Sequence, residues 1–110
     1  MTRFMFIYRA PAPHADEQPP TPERIEEVMQ GWLAWSDHVG AAMVDMGAPL
    51  GEGRTVGLSG TRATERELHG YSVVEATDLD AAVELTAGNP HLTLPDGEIE
   101  IREVVPVPGA

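Results

Sequence analysis

Short apolar runs with strand periodicity alternate along the chain with two stretches of helical spacing. Phe4, Met5, Phe6, Ile7 and Tyr8 form the first run. Phe4, Phe6 and Tyr8 share one face and Met5 and Ile7 the other, so the run predicts a strand covered on both sides. From Ile25 the period lengthens: Ile25, Val28, Trp32, Trp35 and Val39 recur at helical steps, and Met29 and Leu33 widen the stripe. Thr21-Pro22-Glu23 predicts the start of this helix, with Thr21 as N-cap, Pro22 at the first position and Glu23 favourable to the helix dipole. Gly40 is expected to interrupt it. Ala41 to Met46 is expected to add a helical turn that ends at Gly47-Ala48-Pro49.

The second half repeats the alternation. Arg54-Thr55-Val56-Gly57-Leu58 reads as a weak edge strand, joined through a polar Ser59–Arg66 hairpin, with Gly60 at its turn, to the strand that follows. Tyr71, Ser72, Val73, Val74 and Glu75 are mostly apolar and β-branched, which fits a well-buried strand. Asp78 to Ala87 has helical spacing, with Leu79, Ala82, Val83 and Thr86 on one stripe, and Gly88 is placed to end it in the left-handed conformation. Glu98 to Val105 alternates cleanly, Ile99 and Ile101 against Glu98, Glu100 and Arg102. That is the pattern of a half-buried strand at a sheet edge.

The element order is therefore strand, helix, strand, strand, helix, strand. Right-handed crossovers turn it into an α+β, ferredoxin-like βαββαβ layout, a four-stranded antiparallel sheet with both helices on one face. Residues 1–110 make one domain, with a Pro-rich exposed loop over 10–20 and a tail over 106–110. The first and third strands, apolar on both faces, take the centre of the sheet, and the amphipathic last strand takes an edge. Two helices cover only one face. Large side chains bury at roughly 1.5–3 kcal/mol each, so the open face predicts a homodimer that packs two sheets together.

Charge narrows the partners. Among 110 residues, 18 carboxylates stand against 7 bases, all of them arginine, for a net charge of −11. Such a field repels phosphate backbones and anionic membranes, so neither nucleic acid nor membrane is an expected partner. There is no cysteine, which excludes thiolate metal sites and cysteine nucleophiles. No apolar run approaches the ~20 residues of a membrane span, and a cytoplasmic location is expected. Gly51-Glu52-Gly53 lacks the lysine and helix of a phosphate loop, no serine lies in a nucleophile elbow, and the scattered histidines lack zinc spacing. No metal or cofactor is expected.

His91 is the best candidate for useful chemistry, because imidazole exchanges protons near neutrality and Pro90 stiffens its turn. Its alternatives are a ring that fixes the loop backbone, a ligand or proton-transfer group, and a metal ligand. Asp45 is expected at a helix C-terminus, where a carboxylate gains nothing from the dipole, so it calls for a specific partner or open solvent. Trp32 and Trp35 read as core, or as a flat wall of a small-molecule pocket. His14 is expected in solvent, and the adjacent Asp37 and His38 point about 100° apart on a helix and do not form a dyad.

Several stretches together resemble the YCII-related domain family: Arg3-Phe4-Met5-Phe6-Ile7-Tyr8, Gly40-Ala41-Ala42-Met43-Val44-Asp45-Met46-Gly47-Ala48-Pro49-Leu50, Gly70-Tyr71-Ser72-Val73-Val74-Glu75-Ala76 and Gly88-Asn89-Pro90-His91-Leu92. The resemblance implies a dimeric α/β barrel with a cleft near the subunit interface, where some members use a His and an Asp for acid–base work. His91 and Asp45 stand at the matching positions. The Asp-Gly-Pro-Phe found in many relatives is replaced here by Ser59-Gly60-Thr61-Arg62-Ala63-Thr64. Two functions are carried forward. In one, His91 is a general acid/base oriented by Asp45, and Trp32, Trp35, Tyr71 and Asn89 line a cleft for a small organic molecule. In the other, the protein is a non-catalytic homodimer that binds a metabolite or accompanies a larger system.

Overall fold

Tyr8 to Phe4, the inward row of the first strand, sets the position of everything else. The computed structural model describes residues 1–11, 20–64 and 67–109. The expected exposed loop and His14 therefore lie largely outside the described residues. Strand β1 (Thr2–Arg9) sits inside an antiparallel sheet with β2 (Met43–Pro49), β5 (Leu68–Ala76) and β6 (Glu98–Glu103), in the order β2-β5-β1-β6. Among the described residues, the short strands β3 (Arg54–Gly57) and β4 (Gly60–Ala63) pair only with each other. Helices α1 (Pro22–Val39) and α2 (Leu79–Glu84) cover one face. The architecture is α+β, with the two doubly apolar strands in the centre and β6 at an edge, as the alternation predicted.

Pairing and burial explain the inner face. Phe4, Phe6 and Tyr8 stand opposite Val74, Ser72 and Gly70 of β5 and opposite Glu103, Ile101 and Ile99 of β6. Phe4, Phe6, Tyr8, Val74 and Ala76 are buried under Trp35 and Val39 of α1 and Ala82 of α2. Trp35 packs on Phe6 with ring centroids 6.1 Å apart. Its indole N–H donates to the Leu85 carbonyl at 2.8 Å, so the buried ring has its polar edge satisfied and ties α1 to the end of α2. Thr21 caps α1 by accepting the Arg24 N–H at 3.2 Å, and Asp78 caps α2 by accepting the Ala81 N–H at 2.8 Å.

Three expectations are corrected. Gly40 adopts φ 62° and stops α1, but the chain beyond it makes only a short 3₁₀ turn (Gly40–Ala42) before entering β2. The Ala41–Met46 helical turn is thus mostly strand, because the edge of β5 offers backbone partners that outweigh a weak local helix preference. Arg54–Gly57 is not the second strand of the sheet; β2 takes that place, and residues 54–63 form a separate hairpin. The α1 stripe has the right period, but Ile25, Val28, Met29 and Leu33 are exposed and burial begins only at Trp32. Trp32 lies level with Tyr8 near the end of β1, so the first half of α1 runs past the sheet.

The same end of the sheet carries the β3–β4 hairpin, which is inserted where β2 and β5 part at Pro49 and Gly70. These projections give a flat body of 44 × 43 × 20 Å with a radius of gyration of 15.8 Å, against the roughly 13 Å of a compact chain this long.

On the uncovered face, Met5 stands opposite Val73 and Ile7 opposite Tyr71, all half-buried. Ion pairs Arg3–Glu75 (3.7 Å) and Glu100–Arg102 (3.3 Å) frame this apolar square. It is smaller and better bordered than the alternation alone suggests.

Candidate functional site

Where β1 leaves the sheet, a buried polar chain crosses the core. It begins at Asn89, placed by the turn after α2, where Gly88 takes the expected positive φ of 80°. The Asn89 side chain accepts the His91 backbone N–H at 2.9 Å, which starts a 3₁₀ turn (Pro90–Thr93) and brings His91 under the sheet end. Asn89 Nδ2 donates to the Tyr8 hydroxyl at 3.2 Å. Tyr8 and Ser72 hydroxyls are 2.7 Å apart, and Ser72 donates to the Met46 carbonyl at 2.7 Å. Because Ser72 spends its proton on Met46, the Tyr8 hydroxyl must be the donor to Ser72. Every bond in the relay therefore has one direction, from His91 through Asn89, Tyr8 and Ser72 to β2. Burial pushes the Tyr8 phenol above its ordinary value of 10.0, partly offset by its bonds to Ser72 and Asn89.

Two imidazoles hold the backbone at this point. His91 Nε2 lies 2.7 Å from the Arg9 carbonyl and His69 Nε2 3.2 Å from the Ala10 carbonyl. A carbonyl only accepts, so both rings carry their proton on Nε2 and, when neutral, keep a basic lone pair on Nδ1. The rings are 6.1 Å apart, and Tyr8 packs 5.2 Å from His91 and 5.1 Å from Trp32, the latter edge to face. Among the described residues, no buried side-chain nitrogen or oxygen lacks a partner.

A cavity of about 220 Å³ adjoins the held segment, lined by Arg9, Ala10, Pro11, Glu67, Asp96 and Glu98. Arg9 is paired with Glu67 at 2.8 Å, so the two remaining carboxylates leave the lining acidic. A larger hollow of about 350 Å³ lies between α1 and the end of the α2 turn, lined by Ala34, Trp35, His38, Ala87 and Gly88. It has one ionisable side chain and no converging polar groups.

The YCII-related domain matches residues 2–108. The chain belongs to this family. No curated protein matches it.

In this YCII-related chain, the fold brings only some of the expected site residues together. His91, Asn89 and Trp32 come together around Tyr8. Trp35 is core, reaching the larger hollow with part of its surface. Tyr71 alternates with Ser72 and so lies on the uncovered face, away from both tryptophans. Asp45 is on β2 and not at a helix end; its Oδ1 accepts the Gly47 N–H at 2.8 Å and the residue is exposed. It stands opposite Val73, itself opposite Met5, whereas His91 holds Arg9. The register separates the two by about 13 Å along the strands and about 10 Å across them. Within one chain, Asp45 does not orient His91.

Tyr8, Ser72 and His69 escaped the reading of site residues. A signal for the first two was present: a serine within an apolar strand requires a buried partner, and Tyr8 is the inward residue of β1 with a hydroxyl to give. His69 carried no comparable mark. Its role follows from pairing between distant strands. Among the described residues no group of three or more His, Cys, Asp or Glu could hold a metal ion, and no helix is long and apolar enough to cross a membrane.

Proposed function

We propose that this YCII-related protein is a homodimeric binding module for a small organic molecule bearing a positive group. The cavity beside Arg9 and Ala10 carries this reading. Its volume of about 220 Å³ is below the ~300–1,000 Å³ of drug-sized sites, which suits a small metabolite. Asp96 and Glu98 of its lining have no ion-pair partner among the described residues and, in a chain of net charge −11, favour a cation over an anion. His91 and His69 contribute by fixing the carbonyls that border it, and their Nδ1 atoms remain the basic positions at this end of the sheet. The strand order supports a ferredoxin-like layout. The apolar square of Met5, Ile7, Tyr71 and Val73 supports closing two such sheets face to face into a dimeric α/β barrel.

The binding reading is preferred to His91–Asp45 acid–base chemistry because Asp45 is engaged by Gly47 and lies far from the imidazole of its own chain. In a proton-transfer reading, Asp45 would have to come from a second copy across the uncovered face.

A ligand screen by NMR with small amines and matched carboxylates tests the proposal. Amines should shift the amide signals of Ala10, Glu67 and Glu98, and Glu98→Gln should weaken that response. Equal or stronger shifts with carboxylates would overturn it.

A further inference from the structure

We propose that the β3–β4 hairpin of one copy docks on the projecting first half of α1 of a second copy. This deepens the homodimer reading and rests on it. A two-stranded hairpin alone barely holds together in water; it needs a third strand or a packing partner. Here, among the described residues, β3 and β4 pair only with each other, Val56 is 75% exposed and Leu58 at the tip is fully exposed. Within reach of the same sheet end, Ile25, Met29 and Leu33 form an exposed apolar row at four-residue spacing on α1, about half exposed each. Neither surface covers the other within one chain. The segment 12–19 contains no Val, Ile, Leu, Met, Phe, Trp or Tyr.

Charge selects the second copy as occupant. Residues 54–64 carry Arg54 and Arg62 and no carboxylate, in a chain otherwise dominated by acid. The projecting part of α1 carries Glu23, Glu26 and Glu27 against Arg24, which is paired with Glu27 at 3.1 Å. Arg54 is held by Glu52 at 3.2 Å, both ends in solvent, an exposed pair that exchanges at little cost. Leu58 and Val56 meet the Ile25–Met29–Leu33 row, and the arginines meet the glutamates beside it. Docking in both directions satisfies a twofold axis, because each copy offers one arm and one row.

The absence of cysteine gives a clean background for the test. A tagged Leu58→Cys copy is co-expressed with an untagged Met29→Cys copy, and the purified full-length protein is treated with a short bis-maleimide while its mass is followed by sedimentation. A docked pair should cross-link at least about tenfold faster than Leu58→Cys combined with Asp80→Cys on exposed α2, since docking holds the thiols at millimolar effective concentration. Adding Arg62→Glu should slow the reaction, and Glu26→Arg in the other copy should restore it. A dimer by sedimentation with no preference for Met29 overturns the docking and leaves the sheet-to-sheet dimer standing. A monomer by sedimentation overturns both.

Discussion

His91 donates its Nε2 proton to the carbonyl oxygen of Arg9, 2.7 Å away and 82 residues earlier in the chain. The bond joins the turn after α2 to the last residue of β1, and it decides which ring nitrogen is basic. Long-range ¹H–¹⁵N NMR at neutral pH should therefore find His91 protonated on Nε2, with a slowly exchanging proton. A neutral ring protonated on Nδ1 would mean that the imidazole has turned away from Arg9, and its assignment as a backbone clamp would fail.

Tyr8 is the middle of the relay, so its hydroxyl serves two buried neighbours at once. Tyr8→Phe leaves Asn89 Nδ2 without its acceptor and Ser72 without a donor. Stranding buried polar groups costs about 1–3 kcal/mol. Urea denaturation should show a loss of that size, and the thermal midpoint should fall by roughly 4–8 °C per kcal/mol. Ser72→Ala should cost a similar amount, because it leaves the Tyr8 hydroxyl without its acceptor and the Met46 carbonyl without its donor. A neutral effect of either substitution would contradict the relay.

The raised Tyr8 pKa gives a signed pH effect. Burial favours the neutral phenol, so above pH 10.0, the ordinary tyrosine value, the unfolded chain releases its proton first. The native state then binds more protons than the unfolded one, and stability falls as pH rises toward the folded-state pKa. Below the unfolded value this group contributes no slope. Absorbance titration of the two tyrosines should show a late phenolate component that disappears in Tyr8→Phe. Persistence of that component in the variant would assign it elsewhere.

The sequence made the β1 and β5 core strands, the β6 edge, the Thr21 cap of α1 and the turn into His91 readable, because each depends on spacing or on one local residue. What escaped depended on distant pairing. Gly40-Ala41-Ala42-Met43 has helical composition, yet Met43–Pro49 pairs with β5, with irregularities between Met43 and Asp45 and between Asp45 and Ala48. Those interruptions break the period-two alternation that marks a strand. They also moved the apparent position of Asp45, so its partnership with His91, implied by family resemblance, has no counterpart within one chain. The α1 stripe announced an apolar face correctly, but periodicity carries no information about where the sheet beneath it ends.

Gly47 concentrates that lesson in one position. It adopts φ 78°, and a Cβ built on it would overlap the Tyr71 carbonyl oxygen. Glycine there allows β2 to close onto β5 after the irregularity, while the Asp45 carboxylate accepts the Gly47 N–H at 2.8 Å and fixes the bend. In Gly47→Ala the left-handed conformation alone costs about 1–2 kcal/mol, and the overlap requires β2 to move away from Tyr71 as well. The urea midpoint should fall by more than the conformational term predicts, and amide exchange should accelerate along β2 while the β1–β6 pairing stays protected. Gly51→Ala, where an added Cβ meets nothing within 4 Å, is the control and should change stability little. Equal effects of the two substitutions would show that β2 does not approach β5 at Gly47 as closely as described.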